Sequence, residues 1–369
     1  MGKGIFGIKR NVTPFFVGSN GSDLVRGVYA FHLDIENGEI LKKKFYKTSG
    51  GPVNFYKNER FMYVCYTNHS GKKTDGGLKQ YATMDLQFGL TADVSNNGKT
   101  FVSSFVNYDR DHAYAVDYWN GEVCVLPIDK HKIVTVSQTV QHEGHGTIPK
   151  KQDEPHPSYV CDTPDHKYIL VCDQGTDEIV VYDIGENAKL TKNNDLTVKC
   201  KDGAGVNKLV FNSAGTKAYV TYSYSSEVAE YDYKDGVFTL LDIYPTYPKE
   251  DYVGENELSD ILLDEDNKLL YVTNKGHDSI SVFRVDDEGK LTYVEFVDVD
   301  ENPIAIITLK KQWLVVACQK GGTLESFSIQ PERKRKGVLY ETGFSYAVGE
   351  PTCMIEARDL ILDENGRIK

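Results

Sequence analysis

The chain is written in short apolar runs separated by polar turns. Residues 268–285, KLLYVTNKGHDSISVFRV, give the unit: an apolar run of strand length, a tight Gly-His-Asp-Ser turn, and a second strand-length run. The unit recurs at 167–184 (KYILVCDQGTDEIVVYDI), 217–233 (KAYVTYSYSSEVAEYDY) and 312–329 (QWLVVACQKGGTLESFSI), with looser copies at 15–34, 60–84 and 118–129. Tyr168, Tyr219 and Tyr271 hold the same place in successive copies, a period of roughly 50 residues. No long window sustains the 3.6-residue spacing of a helix. Nearly every copy is accompanied by a further apolar run: NFYKN, GLTADVS, PSYVCD, NKLVF, SDILLD and PIAIIT.

A period of this length in an all-β chain predicts propeller blades of four antiparallel strands, and seven copies predict seven blades. A sandwich needs no such long-range repetition, and a solenoid has a shorter period. Residues 1–369 are therefore expected to close into one seven-bladed β-propeller domain. The accompanying runs are expected as the innermost strands lining the central channel. Residues just before them then converge on one mouth of the axis, where chemistry is to be sought.

Charge narrows the partners. A net charge of −12 argues against binding nucleic acid or an anionic membrane through bulk electrostatics, and it suits a soluble monomer or small homo-oligomer. A small anionic substrate would need a local basic pocket. No run reaches membrane-spanning length, the N-terminus lacks a signal-peptide core, and Phe6 stands where a myristoylation signal wants Ser or Thr. Seven cysteines without a CxxC pair, most inside apolar strands, read as reduced core residues of a cytoplasmic protein.

No phosphate-cradling glycine loop, nucleophile elbow or dinucleotide fingerprint is present, so no cofactor is expected. His142 and His145, with His156 near them in sequence, have spacing too short for a strand-borne zinc site and lack a completing Cys or paired carboxylate. No metal is expected. The loop NYDRDHAY at 107–114, with Arg110 and His112, is rich in groups that could meet a polar ligand, though a solvated, salt-bridged turn explains it better.

Several of these segments resemble the lactonase family of seven-bladed propellers, the group containing 6-phosphogluconolactonase and carboxymuconate lactonizing enzyme. YVTN followed by KGHDSI at 271–280 is similar to that family's penultimate-blade signature. GVYAFHLDIENGEI resembles its opening blade, and HEGHGTIPKKQDEPHP at 142–157 resembles the segment before its fourth blade. The resemblance covers nearly the whole chain and implies hydrolysis of a sugar lactone. It also implies departures. The family's Pro-Arg-His before the fifth blade reads Val206, Asn207, Lys208; a following Glu is Ser223; an Arg of the penultimate blade is Lys275; and the second His of Pro-His-x-His is Ser158. An arginine fork grips a carboxylate or phosphate bidentately, whereas lysine is a point charge and asparagine carries none.

Lactone hydrolysis needs a base for the attacking water and positive charge or donors for the oxyanion. His156 or Asp260 is expected as the base, and Lys208 or Lys275 as the electrostatic partner. Asn207, Gln152 and Ser158 are expected to complete the substrate pocket. His277 and Asp278 are expected to serve a tight turn. Two other readings stay open: a non-catalytic binding or scaffold propeller, and a lactonizing enzyme of the muconate type, which the missing arginines disfavour.

Overall fold

In a computed structural model, residues 11–68, 76–84, 86–95, 98–248, 250, 252–332 and 337–357 are described. The N-terminal segment read for targeting signals lies largely outside them. The described residues form seven antiparallel sheets of four or five strands and a single 3-10 turn, Glu186–Ala188. The seven-bladed β-propeller expected from the period is what forms.

Each blade runs outward from an innermost strand. In chain order these are Gly51–Lys57, Phe101–Val106, Pro157–Asp162, Val206–Phe211, Glu257–Asp264 and Pro303–Leu309, beginning blades two to seven. The first blade takes its innermost strand from the far end of the sequence. Pro351–Glu356 pairs with Val12–Ser19, Phe16 opposite Ile355 and Val17 opposite Met354, so the two ends of the repeat close the circle. The closure is tight at Gly18, where a Cβ would stand 2.6 Å from Cys353 Sγ and 2.8 Å from Pro52 Cβ.

One expectation is corrected. GLTADVS falls within Gln87–Ser95, the outermost strand of blade two, and the innermost strand of blade three is Phe101–Val106. The middle strands are covered on both faces and read as unbroken apolar runs: Trp313–Cys318 is buried throughout. Outermost strands such as Gln87–Ser95 are exposed along much of their length, and innermost strands such as Gly51–Lys57 and Pro157–Asp162 are buried only in part. The two classes share one pattern and periodicity alone does not separate them.

Neighbouring blades pack face to face. Leu269, Tyr271, Ile280 and Val282 of blade six meet Ile306, Leu314, Val316 and Phe327 of blade seven, and comparable clusters fill the other interfaces. The repeat tyrosines serve this packing: Tyr219 and Tyr271 are fully buried, and Tyr219 Oη donates to Gly289 O at 2.5 Å.

All seven pairings between an innermost strand and its neighbour shift register near the same end. The residues left out of the ladder are Thr352, Val53, Val102, Ser158, Asn207 with Lys208, Ser259 with Asp260, and Ile304. A bulge re-aims the side chains it carries, and these residues all line one axial cavity of about 220 Å³. Blades two, three and seven give it Val53, Val102 and Ile304; blades four to six give it Ser158, Asn207, Lys208, Ser259 and Asp260. Its charged groups, Lys208 and Asp260, thus lie on the more polar side, while Asn54, Ser103 and Thr352 put polar groups on the other.

Candidate active site

The polar side of the cavity gathers four of the expected residues, and they hold one another. Lys208 Nζ lies 2.5 Å from Asp260 Oδ1 and 5.6 Å from the centre of the Tyr159 ring. Asp260 also accepts from the N–H groups of Ile261 (2.9 Å) and Ile306 (3.0 Å), so one carboxylate joins blades five, six and seven. Ser158 Oγ donates to Asn207 O at 2.7 Å, and Asn207 Nδ2 donates to Leu258 O at 3.0 Å and Ser259 O at 3.3 Å. These contacts stitch blades four, five and six along the axis.

His156 and Gln152 stand apart from that cavity, in the segment that crosses the mouth before blade four. Gln152 is buried and fully used. Its Oε1 accepts from Thr147 and Ile148 N–H (3.0 Å each), and its Nε2 donates to Gln174 O and Asp177 Oδ1 (2.7 Å each). Asp177 in turn accepts from Gly203 N–H (2.8 Å) and Gly205 N–H (2.6 Å), which fixes the start of blade five. Gln152 therefore shapes the mouth.

His156 is placed by its backbone and by an aromatic stack. Its N–H donates to Asp173 Oδ1 at 2.8 Å, an oxygen that also accepts from Gly175 and Thr176, while Asp173 Oδ2 meets His142 Nδ1 at 2.6 Å. His142 Nε2 is 2.8 Å from Tyr182 Oη, which accounts for that histidine within the core. The turn comes so close that a Cβ on Gly175 would stand 2.0 Å from Glu154 O and 2.7 Å from His156 N. The His156 ring lies flat on Tyr118, centroids 4.4 Å apart and planes 9° apart. Its Nδ1 is 3.1 Å from Tyr118 O, and Nε2 has no hydrogen-bond partner among the described residues.

Lys275 lies at the same mouth, beside residues that the sequence reading did not single out. Glu257 opens the innermost strand of blade six and stands opposite Lys275 in the ladder. Its carboxylate is 2.8 Å from Lys151 Nζ and 3.8 Å from Lys275 Nζ. Lys151 also sits 5.3 Å from the centre of the Tyr224 ring. The hydroxyl of Tyr224 lies 3.4 Å from Gln174 Oε1 and 3.5 Å from Lys151 O. Burial above all raises the pKa of both tyrosines, with Tyr118 and then the Glu257 charge adding to it at Tyr224, so both hydroxyls stay protonated.

The geometry explains one departure from the lactonase pattern. Ser223 leaves the turn of blade five without a carboxylate, and its Oγ donates to Leu258 O at 2.9 Å. The residue beside Leu258 is Glu257. A carboxylate is thus present at the mouth, delivered by the next blade. Tyr118 and Tyr224 belong to turns between the second and third strands of their blades, and Lys275 is the last residue of the second strand of its own. Aligning those turns, rather than the strands, is the sequence signal that would have found the two tyrosines. Glu257, two residues before the expected strand SDILLD, was legible by the same logic.

Among the described residues no group of three or more His, Cys, Asp or Glu is arranged to hold a metal ion. His277 Nδ1 meets Ser279 Oγ at 2.7 Å, and Asp278 Oδ1 accepts from Gly276 (3.1 Å) and Asn302 (2.9 Å), so this pair holds a tight turn. No helix among the described residues is long and apolar enough to cross a membrane.

Residues 14–356 match the family described as "Lactonase, 7-bladed beta-propeller". An uncharacterized protein of Staphylococcus aureus is 32% identical over 294 residues, covering 79% of this chain and 83% of its own length. A candidate 6-phosphogluconolactonase from Bacteroides fragilis superposes with a TM-score of 0.84 at 25% identity, over 94% of this chain and 98% of that one. The periplasmic gluconolactonase PpgL of Pseudomonas aeruginosa gives 0.84 at 23% identity, over 94% and 99%.

Proposed function

The chain belongs to the seven-bladed lactonase family, and on that premise we propose that it hydrolyses a small sugar lactone at the mouth built by Lys151, Glu257, Lys275, Tyr118, Tyr224 and His156. The observation that carries this reading is Glu257, a carboxylate held between two lysines beside two protonated tyrosine hydroxyls. In this scheme Glu257 takes the proton of the attacking water. The lysines and tyrosine hydroxyls face the oxyanion that forms as the carbonyl becomes tetrahedral. The ring C–O bond then breaks, and the departing oxygen takes the proton that Glu257 received from the water; His156, whose Nδ1–H faces Tyr118 O, orients the attacking water by accepting a hydrogen bond at Nε2.

Lys151 is engaged by Glu257 at 2.8 Å and Glu255 at 3.4 Å, whereas Lys275 is held only at 3.8 Å by Glu257. Lys275 is therefore the cation that a phosphate or carboxylate on the substrate would meet, which supports a phosphorylated aldonolactone over a neutral one. Asp260 and Lys208 take a bracing role in this scheme, because each is already the other's partner. We place the activity in a reducing compartment, the cytoplasm, supported by seven free thiols of which six are buried.

The test is acid release at constant pH from phosphorylated and unphosphorylated aldonolactones, measured against spontaneous hydrolysis. Turnover by the wild type that falls about 10²-fold or more in His156→Ala is the expected result. Lys275→Ala should raise KM for the phosphorylated lactones with little change in kcat. No rate above background for any lactone would instead establish a binding propeller.

A further inference from the structure

The face opposite the mouth carries a second candidate site, between blades three and four. There the loop 107–111 leaves the innermost strand Phe101–Val106, and the loop after Pro157–Asp162 leaves the next. The crevice between them has a volume of about 540 Å³, and its walls include Tyr108, Asp111, His112, Tyr114, Asp162 and His166. Arg110, the cation that the sequence places in this loop, turns away and grips Glu59 with two 3.1 Å bonds.

Three features point to an occupant. The Tyr114 side chain lines the crevice and is fully buried, yet its hydroxyl has no hydrogen-bond partner. A buried hydroxyl without a partner calls for a ligand or water in that space. Its neighbours are carboxylates: after burial, the charges of Asp111 and Asp162 help to push its pKa up to about 12. The charge is also unbalanced. Asp109, Asp111 and Asp162 contribute three negative charges, while Lys167, the one lysine of the lining, is engaged by Asp165 at 3.1 Å and Asp235 at 3.2 Å. Finally, the crevice offers an aromatic platform. Tyr108 is exposed and stacks on His166, centroids 4.8 Å apart, and His166 Nδ1 is bonded to Asp162.

We infer that this crevice binds an alkylammonium group, supplied either by a free aliphatic amine or by the side chain of a lysine. The ammonium donates to Asp111, Asp162 and the oxygen of Tyr114, while its methylene stem lies against Ile169, Ile184 and the Tyr108 ring. A bare metal ion is disfavoured by the lack of a ligand cluster there. An anion meets three carboxylates. The site is independent of the lactone chemistry at the other end of the axis.

Calorimetric titration of the full chain with 1,5-diaminopentane tests this, beside Nα-acetyl-lysine methylamide and the neutral isostere pentane-1,5-diol. Saturable binding of an amine and none of the diol is expected; whichever amine binds more tightly identifies the source. Tyr114→Phe removes only an unpartnered oxygen, so the fold has no reason to suffer, and the amine Kd should weaken about threefold. Asp162→Asn should weaken it about tenfold. Failure of both amines to saturate overturns the proposal, as does equal binding of the diol or binding unchanged in both variants.

Discussion

Asp260→Asn separates a catalytic carboxylate from a bracing one. The side chain of Asp260 is 11% exposed and that of Lys208 30%, so their contact is partly dry. Breaking a buried pair by removing one charge costs about 3–5 kcal/mol, and the exposure of Lys208 discounts this to about 2–3 kcal/mol. The asparagine also turns one acceptor into a donor facing the Ile261 and Ile306 N–H groups, which keeps the estimate at the upper end. For a chain of this length a loss of about 2.5 kcal/mol lowers the thermal midpoint by about 3 °C. The assay is guanidinium and thermal unfolding of Asp260→Asn, Lys208→Met and the double variant. Lys208→Met in the asparagine background should cost almost nothing more, giving a coupling of at least about 1 kcal/mol. Additive effects, or an unchanged midpoint in Asp260→Asn, would refute the brace.

Two further expectations follow from burial. Burial raises all seven thiols, Cys124 to about 11 and Cys65 and Cys353 to about 12, so at pH 8 the native protein should give about one thiol or less to Ellman's reagent and all seven in guanidinium; rapid reaction of several native thiols would contradict that core. Burial among Tyr247, Tyr252 and Phe296 lowers the pKa of His277 from 6.5, with Asp298 and Asp278 opposing. Its neutral form is then the folded one, so its contribution is complete above pH 6.5 and declines as the pH falls through the lowered value. The thermal midpoint of wild type should drop more than that of His277→Phe between pH 7 and pH 5, and parallel curves would show that His277 does not titrate on unfolding.

The blades were legible because their middle strands are buried on both faces and repeat with the period of the fold: Tyr219 and Tyr271 mark equivalent positions in sequence and in space. GLTADVS was misassigned because outermost and innermost strands are both only partly buried and mix apolar with polar residues in the same way. The strand that closes blade one, PTCMIE, belongs to no local repeat, and only circular closure reveals it. At the site, the sequence reading singled out Lys208, Asp260, Asn207 and Ser158, which line one cavity because seven bulges turn equivalent residues toward one axis. It did not show that two of them neutralise each other. Nor did it place Glu257 between Lys151 and Lys275, a contact made across 106 residues of chain in one case.

The measurement that bears most directly on the mouth as the reaction site is acid release from a phosphorylated δ-lactone by wild type, Glu257→Gln and Asp260→Asn, side by side below their unfolding temperatures. Turnover should be clear in the wild type and in Asp260→Asn, and reduced about 10²-fold or more in Glu257→Gln. Full activity in Glu257→Gln, or its loss in a folded Asp260→Asn, would move the chemistry from the mouth into the axial channel.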